Sequence, residues 1–137
     1  MPLIYLQDIR LNVAVTGPAN APPLLFCHAL GTDLGLWDGV VQALSPRFRC
    51  IRYDARGHGL SDVPAPPYTM GALIRDAERV LDHFAARDAV VIGSSMGGLV
   101  AQGLATKRLD LVRAMVLANT AAKIGRASCR ERVYVLV

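Results

Sequence analysis

Apolar and polar positions alternate from Ile9 to Val15, where Ile9, Leu11, Val13 and Val15 are separated by Arg10, Asn12 and Ala14; "LIYL" precedes them across Gln7-Asp8. A period of two belongs to a half-buried strand, and two such runs across a short polar break predict a hairpin. After "GPANAPP", the run "LLFCH" from Leu24 to His28 is continuously apolar, as in a strand covered on both faces, and it ends in the loop "ALGTD". Leu34 to Leu44 predicts a short helix stopped by Ser45-Pro46, and "FRCIRY" from Phe48 to Tyr53 alternates apolar and basic as a further strand. The loop "DARGHGLSDVPAPP" follows. Thr69 is the expected N-cap of a helix whose apolar positions Leu73, Ile74, Ala77, Val80, Leu81 and Phe84 recur at i, i+3, i+4 and i+7, with acidic and basic residues expected on its other face. "AVVIG", Ala89 to Gly93, predicts a buried strand running into a serine-containing turn and then a helix to about Lys107, and "AMVLAN", Ala114 to Asn119, one more strand. Strands alternating with helices imply an α/β fold: a mostly parallel sheet with helices on both faces, joined by right-handed crossovers and preceded by an antiparallel hairpin.

The chain has 137 residues, 53% of them hydrophobic and 19% charged, which suits one globular unit with a sizeable core. No run approaches the roughly 18 apolar residues of a membrane span, and "MPLIYLQDIR" lacks the basic, apolar and cleavage regions of a secretory signal. A cytoplasmic protein is expected. Cys27, Cys50 and Cys129 are odd in number and unrelated in spacing, so neither disulfides nor a metal site is expected, and Cys27 and Cys50 read as buried thiols. Half of the net charge of +4 comes from the last fourteen residues; the other basic residues are scattered singly, which argues against a nucleic-acid partner. Nothing in the sequence sets an oligomeric state.

Gly93-Ser94-Ser95-Met96-Gly97 is a G-x-S-x-G that directly follows a β-branched strand and opens a helix, the context of a nucleophile elbow. Ser95 is the expected nucleophile on a strained turn, with Gly93 and Gly97 present because side chains there would collide with the neighbouring strand and helix. The helix N-terminus puts the Met96 N–H beneath the nucleophile as one oxyanion donor, and spacing in "HALG" makes the Leu30 N–H the other. The competing reading is a tight turn with polar fillers. Two loops at the same sheet edge weigh against it, one of them the Asp54 to Ser61 turn in which aspartate and arginine are expected to hold the chain. His28 reads as a residue shaping the oxyanion loop, His58 as part of the Gly-rich turn, and His83 as the polar side of a helix; as a base for Ser95, His28 is the leading candidate of the three. After Ser95 come no histidine and only two carboxylate side chains, Asp110, expected at the far end of the sheet, and Glu131.

"HALGTDLGLWD", "YDARGHGLSDVP", "YTMGALIRDAERVLD", "VVIGSSMGGLVAQGLA" and "VRAMVLANTAAKIG" resemble the α/β-hydrolase family and, more narrowly, its 3-oxoadipate enol-lactonases, from about Leu3 to Lys123. The elbow and the Arg-Gly-His-Gly loop are generic to the superfamily; Gly31-Thr32-Asp33 to Trp37 and "LANTAAKIG" favour the lactonase group. The resemblance implies Ser95 as nucleophile, Leu30 and Met96 as oxyanion donors, a small lactone or ester substrate, and no metal or organic cofactor; the absence of a long apolar run adds the expectation of no membrane partner. Alternatives are a carboxylesterase or C–C bond hydrolase of the same fold, or a non-catalytic binding module.

Family members continue with further strands, a helical cap, an aspartate and a late histidine. Residues 1–123 are therefore expected to be the N-terminal portion of such a core, truncated after about the sixth strand and at most residually active. "IGRASCRERV" resembles translated sequencing adapter, so 124–137 is expected to be a non-native tail, against the alternative of a genuine final strand "RVYVLV".

Overall fold

The computed structural model describes residues 3–120 and 133–136. Its strands are β1 (Leu3–Leu6), β2 (Ile9–Thr16), β3 (Pro23–Cys27), β4 (Arg49–Tyr53), β5 (Ala89–Ser94), β6 (Val112–Ala118) and β7 (Val133–Leu136); its α-helices are α1 (Asp38–Leu44), α2 (Met70–His83) and α3 (Met96–Lys107). They form one sheet in the order β1-β2-β4-β3-β5-β6-β7. The hairpin of β1 and β2 and the pairing of β2 with β4 are antiparallel, whereas β4, β3, β5 and β6 run parallel. This is the expected α/β architecture. From β3 the chain moves outward to β4 on one side and later to β5 on the other, so the strand order reverses at β3, and the crevice outside the carboxyl ends of β3 and β5 is where open sheets of this kind take ligands.

Alternation along the strands sorts the core into two layers. Leu25, Cys27, Ile51, Tyr53, Ala89 and Val91 point towards α2 and α3, where they meet Leu73, Ala77, Val80, Leu81, Val100, Ala101 and Leu104. Leu24, Phe26 and Cys50 point the other way, towards Trp37 and Val41. Phe26 and Trp37 have ring centroids 5.3 Å apart at 48°, an arrangement worth about 0.5–1.5 kcal/mol beyond the area buried. Thr69 caps α2 by accepting the Ala72 N–H at 3.1 Å.

Three details differ from the pattern-based expectation. The helix from Leu34 to Leu44 is divided: Leu34–Trp37 is a 3-10 turn, because the Asp33 carboxylate caps the Gly35 N–H and Asp54 takes the Leu34 N–H, which binds that first turn to another loop. In β4, "FRCIRY" alternates apolar and basic as expected of a strand, but the basic position Arg52 is buried, with its guanidinium on the Leu34 carbonyl and the Asp38 carboxylate at 3.1 and 2.6 Å. In α2, the charged face does carry Glu78, Arg79 and Asp82, but Asp76 is 1% exposed and lies among the core residues.

The expected tail falls mostly outside the described residues, as do Cys129 and Glu131. Its stretch Val133–Leu136 pairs antiparallel with β6 as a seventh strand. Cys27 and Cys50 are buried free thiols. Among the described residues, no helix is long and apolar enough to cross a membrane.

Candidate active site

β5 delivers Ser95 to the carboxyl edge of the sheet, and α3 starts at the next residue. Between them Ser95 adopts φ 54° and ψ −116°, a conformation that costs a non-glycine residue about 1–3 kcal/mol and persists only where the surroundings impose it. They do: the Ser95 N–H donates to the Ala118 carbonyl at 3.0 Å, and the Ser95 carbonyl accepts the Gly98 N–H at 2.9 Å and the Thr120 hydroxyl at 2.8 Å. The glycines at 93 and 97 are there for close approach. A Cβ on Gly93 would run into the Gly97 carbonyl, and one on Gly97 into the Cys27 carbonyl at the end of β3. That second contact presses the start of α3 against the strand whose loop carries Leu30.

The Leu30 N–H belongs to the Ala29–Leu30 peptide, whose carbonyl is clamped from three directions. His28 Nδ1 reaches it at 2.8 Å, the Thr32 N–H at 3.1 Å and the Thr32 hydroxyl at 2.7 Å. In a trans peptide the N–H points opposite to its carbonyl, so holding the Ala29 oxygen aims the Leu30 N–H. Among the described residues neither the Leu30 nor the Met96 N–H has a hydrogen-bond acceptor. Two unpaired donors on adjacent strands' loops, one at a helix N-terminus, are suited to a developing negative charge.

The histidines are committed elsewhere. His28 Nε2 accepts the Ala55 N–H at 2.9 Å, so in the neutral ring the proton sits on Nδ1 and is donated to Ala29. With both nitrogens used, His28 shapes the loop and has none to spare as a base for Ser95. Burial pushes its pKa below the ordinary 6.5, against a smaller opposing effect of the Ala29 carbonyl. An unfolded chain therefore takes up this proton at a higher pH than the folded one does. The stability that neutral His28 contributes is complete above pH 6.5 and is lost as the pH falls below it; thermal unfolding scans from pH 7.5 to 5 should show the midpoint dropping, less steeply in His28→Gln. His83 packs edge-on against Phe84 at the end of α2. Asp110 precedes β6 at the opposite edge of the sheet from Ser95, as expected, and its ion pair with Arg108 at 2.9 Å holds its carboxyl below the usual range.

Several supports escaped the sequence reading. Asp54 was expected to hold its turn, and it accepts the Leu60 N–H within that turn; it also accepts from Asn12 Nδ2 of β2 and from the Leu34 N–H, joining the turn to both. Arg56 makes a two-point ion pair with Asp76 at 2.6 and 2.9 Å. Position gives a signal for Asp76, which lies on the stripe of Leu73 and Val80. The Tyr53 hydroxyl donates to Cys27 Sγ at 3.6 Å, and burial pushes that thiol up to about 12, leaving it unreactive. A cavity of about 10 Å³ between Cys27, Tyr53, Asp76, Met96 and Gly97 is the size of a single water.

Residues 22–129 match the sequence model of the α/β-hydrolase fold. The chain belongs to the α/β-hydrolase fold family. Among similar family members, 3-oxoadipate enol-lactonase 2 of Acinetobacter baylyi is 41% identical over 88% of this α/β-hydrolase chain and 45% of its own length. Haloalkane dehalogenase 2 of Mycobacterium tuberculosis is 35% identical over 85% and 41% respectively. The crystal structure of the enol-lactonase from Burkholderia xenovorans LB400 superposes with a TM-score of 0.85 at 40% identity, covering 90% of this chain and 48% of that one. The chain spans about half the length of the curated relatives it matches.

Proposed function

We propose that this chain is the N-terminal part of a serine-nucleophile hydrolase that opens a five-membered enol-lactone of the 3-oxoadipate type. The observation that carries the reading is Ser95, held at φ 54° between β5 and α3 with the Met96 and Leu30 N–H groups unpaired beside it. Ser95 Oγ attacks the lactone carbonyl carbon, and the two N–H groups take the charge that collects on its oxygen. The ring C–O bond breaks and expels an enolate, which needs less acid assistance than an alkoxide and ends as the ketone of 3-oxoadipate on protonation. Water then releases the acyl-enzyme. No metal or organic cofactor enters the scheme. The similarity to two enol-lactonases of Acinetobacter baylyi supports this substrate class.

Among the described residues no histidine is free to activate Ser95, and the proposal places the base and its carboxylate in a longer parent chain, with 124–137 as a non-native tail. Loss of the base from a triad lowers kcat on the order of 10⁴-fold or more. Fluorophosphonate should label the full-length gene product at Ser95 and leave Ser95→Ala unlabelled. A wild-type protein that stays unlabelled is a binding module and not a hydrolase. Faster turnover of p-nitrophenyl acetate than of enol-lactone would move the assignment to a carboxylesterase. Normal turnover by the 137-residue chain would sink its reading as an incomplete enzyme.

A further inference from the structure

The loop that carries Leu30 is held by hydrogen bonds and hardly by packing. Gly31 turns it at φ 79° with no atom within 4 Å of where its Cβ would stand, and Leu30 is 70% exposed. The Ala29 carbonyl clamp fixes the peptide on one side of Leu30. The peptide on the other side is fixed from a different strand's loop: the Gly31 N–H donates to His58 Nε2 at 3.0 Å. Because Nε2 accepts, the proton of the neutral ring is on Nδ1, 3.1 Å from the Arg56 carbonyl. Arg56 is itself anchored on Asp76 of α2, and the His58 ring lies 5.0 Å from that of His28 at 58°.

We propose that His58 is a positioning residue for the oxyanion hole: braced on Arg56, it holds the Leu30–Gly31 peptide, and with the Ala29 clamp it sets both backbone dihedrals of Leu30. The direction of the Leu30 N–H then depends on a side chain 28 residues away that need not touch the substrate. This rests on the reading of Leu30 as an oxyanion donor. A donor aimed wrongly by a fraction of an ångström loses much of its effect in the transition state, where it counts most, and little in the ground state.

The test has a spectroscopic arm and a kinetic arm. In the isotope-labelled 137-residue chain, a nitrogen–nitrogen coupling across the hydrogen bond should connect the Gly31 amide to His58 Nε2, with the ring proton on Nδ1. In the full-length gene product, His58→Ala should lower kcat on the order of 10- to 100-fold with KM within about twofold. His58→Gln, whose amide oxygen can accept the Gly31 N–H, should recover part of the loss, and His83→Ala should keep the wild-type kcat. Absence of the coupling, wild-type kcat in His58→Ala, or a change in KM alone would overturn the proposal. If His58→Ala does not fold, the coupling and the kcat of His58→Gln decide; a Gln variant with no kcat above the uncatalysed rate overturns it. Activity surviving in Ser95→Ala would instead overturn the hydrolase reading beneath it, so the two failures are told apart.

Discussion

Replacing Asp76 with alanine is expected to cost about 3–5 kcal/mol of folding free energy, because the Arg56 guanidinium would remain in the interior without a counter-charge. The carboxylate is 1% exposed and accepts from two of the three guanidinium nitrogens, Nε and Nη2, at 2.6 and 2.9 Å. Through this pair α2 grips the loop that follows β4, so its loss removes a tertiary tie as well as a charge. Urea unfolding of the 137-residue chain measures the effect. Removing both charges at once, with Arg56→Met and Asp76→Leu, should restore most of the stability, since a buried pair rarely outperforms well-packed apolar groups of similar volume. A loss below about 1 kcal/mol in Asp76→Ala would show that solvent reaches the guanidinium and that the tie is weak.

Gly97→Ala should destabilise by about 3 kcal/mol, the upper end of what a single added methyl costs in a packed interior. The new Cβ would overlap the Cys27 carbonyl and stand 2.8 Å from the His28 carbonyl oxygen. Neither side can yield cheaply. β3 is hydrogen-bonded on one flank to β4 and on the other to β5, and α3 is tied to β5 by the Ser95 turn. The same substitution at Gly39, in α1, meets nothing within 4 Å and should stabilise by up to about 1 kcal/mol through helix propensity alone, which separates that effect from the steric one. Fluorophosphonate labelling of Gly97→Ala in the full-length product should fall with stability, because the same contact sets the spacing between the Met96 and Leu30 N–H groups. Equal unfolding midpoints for Gly97→Ala and wild type would refute the close approach.

Element positions were legible because each answers to a local rule. The period of two in β2, the unbroken apolar run of β3, the i, i+3, i+4 stripe of α2 with its Thr69 cap, and the strand-turn-helix context of Ser95 are each written in one continuous local stretch. What escaped depends on partners far along the chain. The burial of Arg52 follows from Asp38 and the Leu34 carbonyl, brought beside β4 only once the sheet has formed. The Gly31 bond to His58 joins residues 27 apart, and nothing in "HALG" or "RGHG" taken alone requires it. Asp76 is the intermediate case: it sits three residues after Leu73 and four before Val80, on the inward side, but acidic residues were expected on the other face, and the buried Arg56 that reverses that expectation lies on another element.

The Leu30 side chain stands in solvent while its main chain is held from both sides. In the proposed role, the position is under selection for an atom and not for a residue type. Any amino acid with an amide hydrogen supplies the donor, and proline alone, having none, removes it. The side chain at 30 is thereby free to drift towards whatever substrate surface or covering segment the site meets, so that specificity can change at the rim without the charge-stabilising geometry being rebuilt.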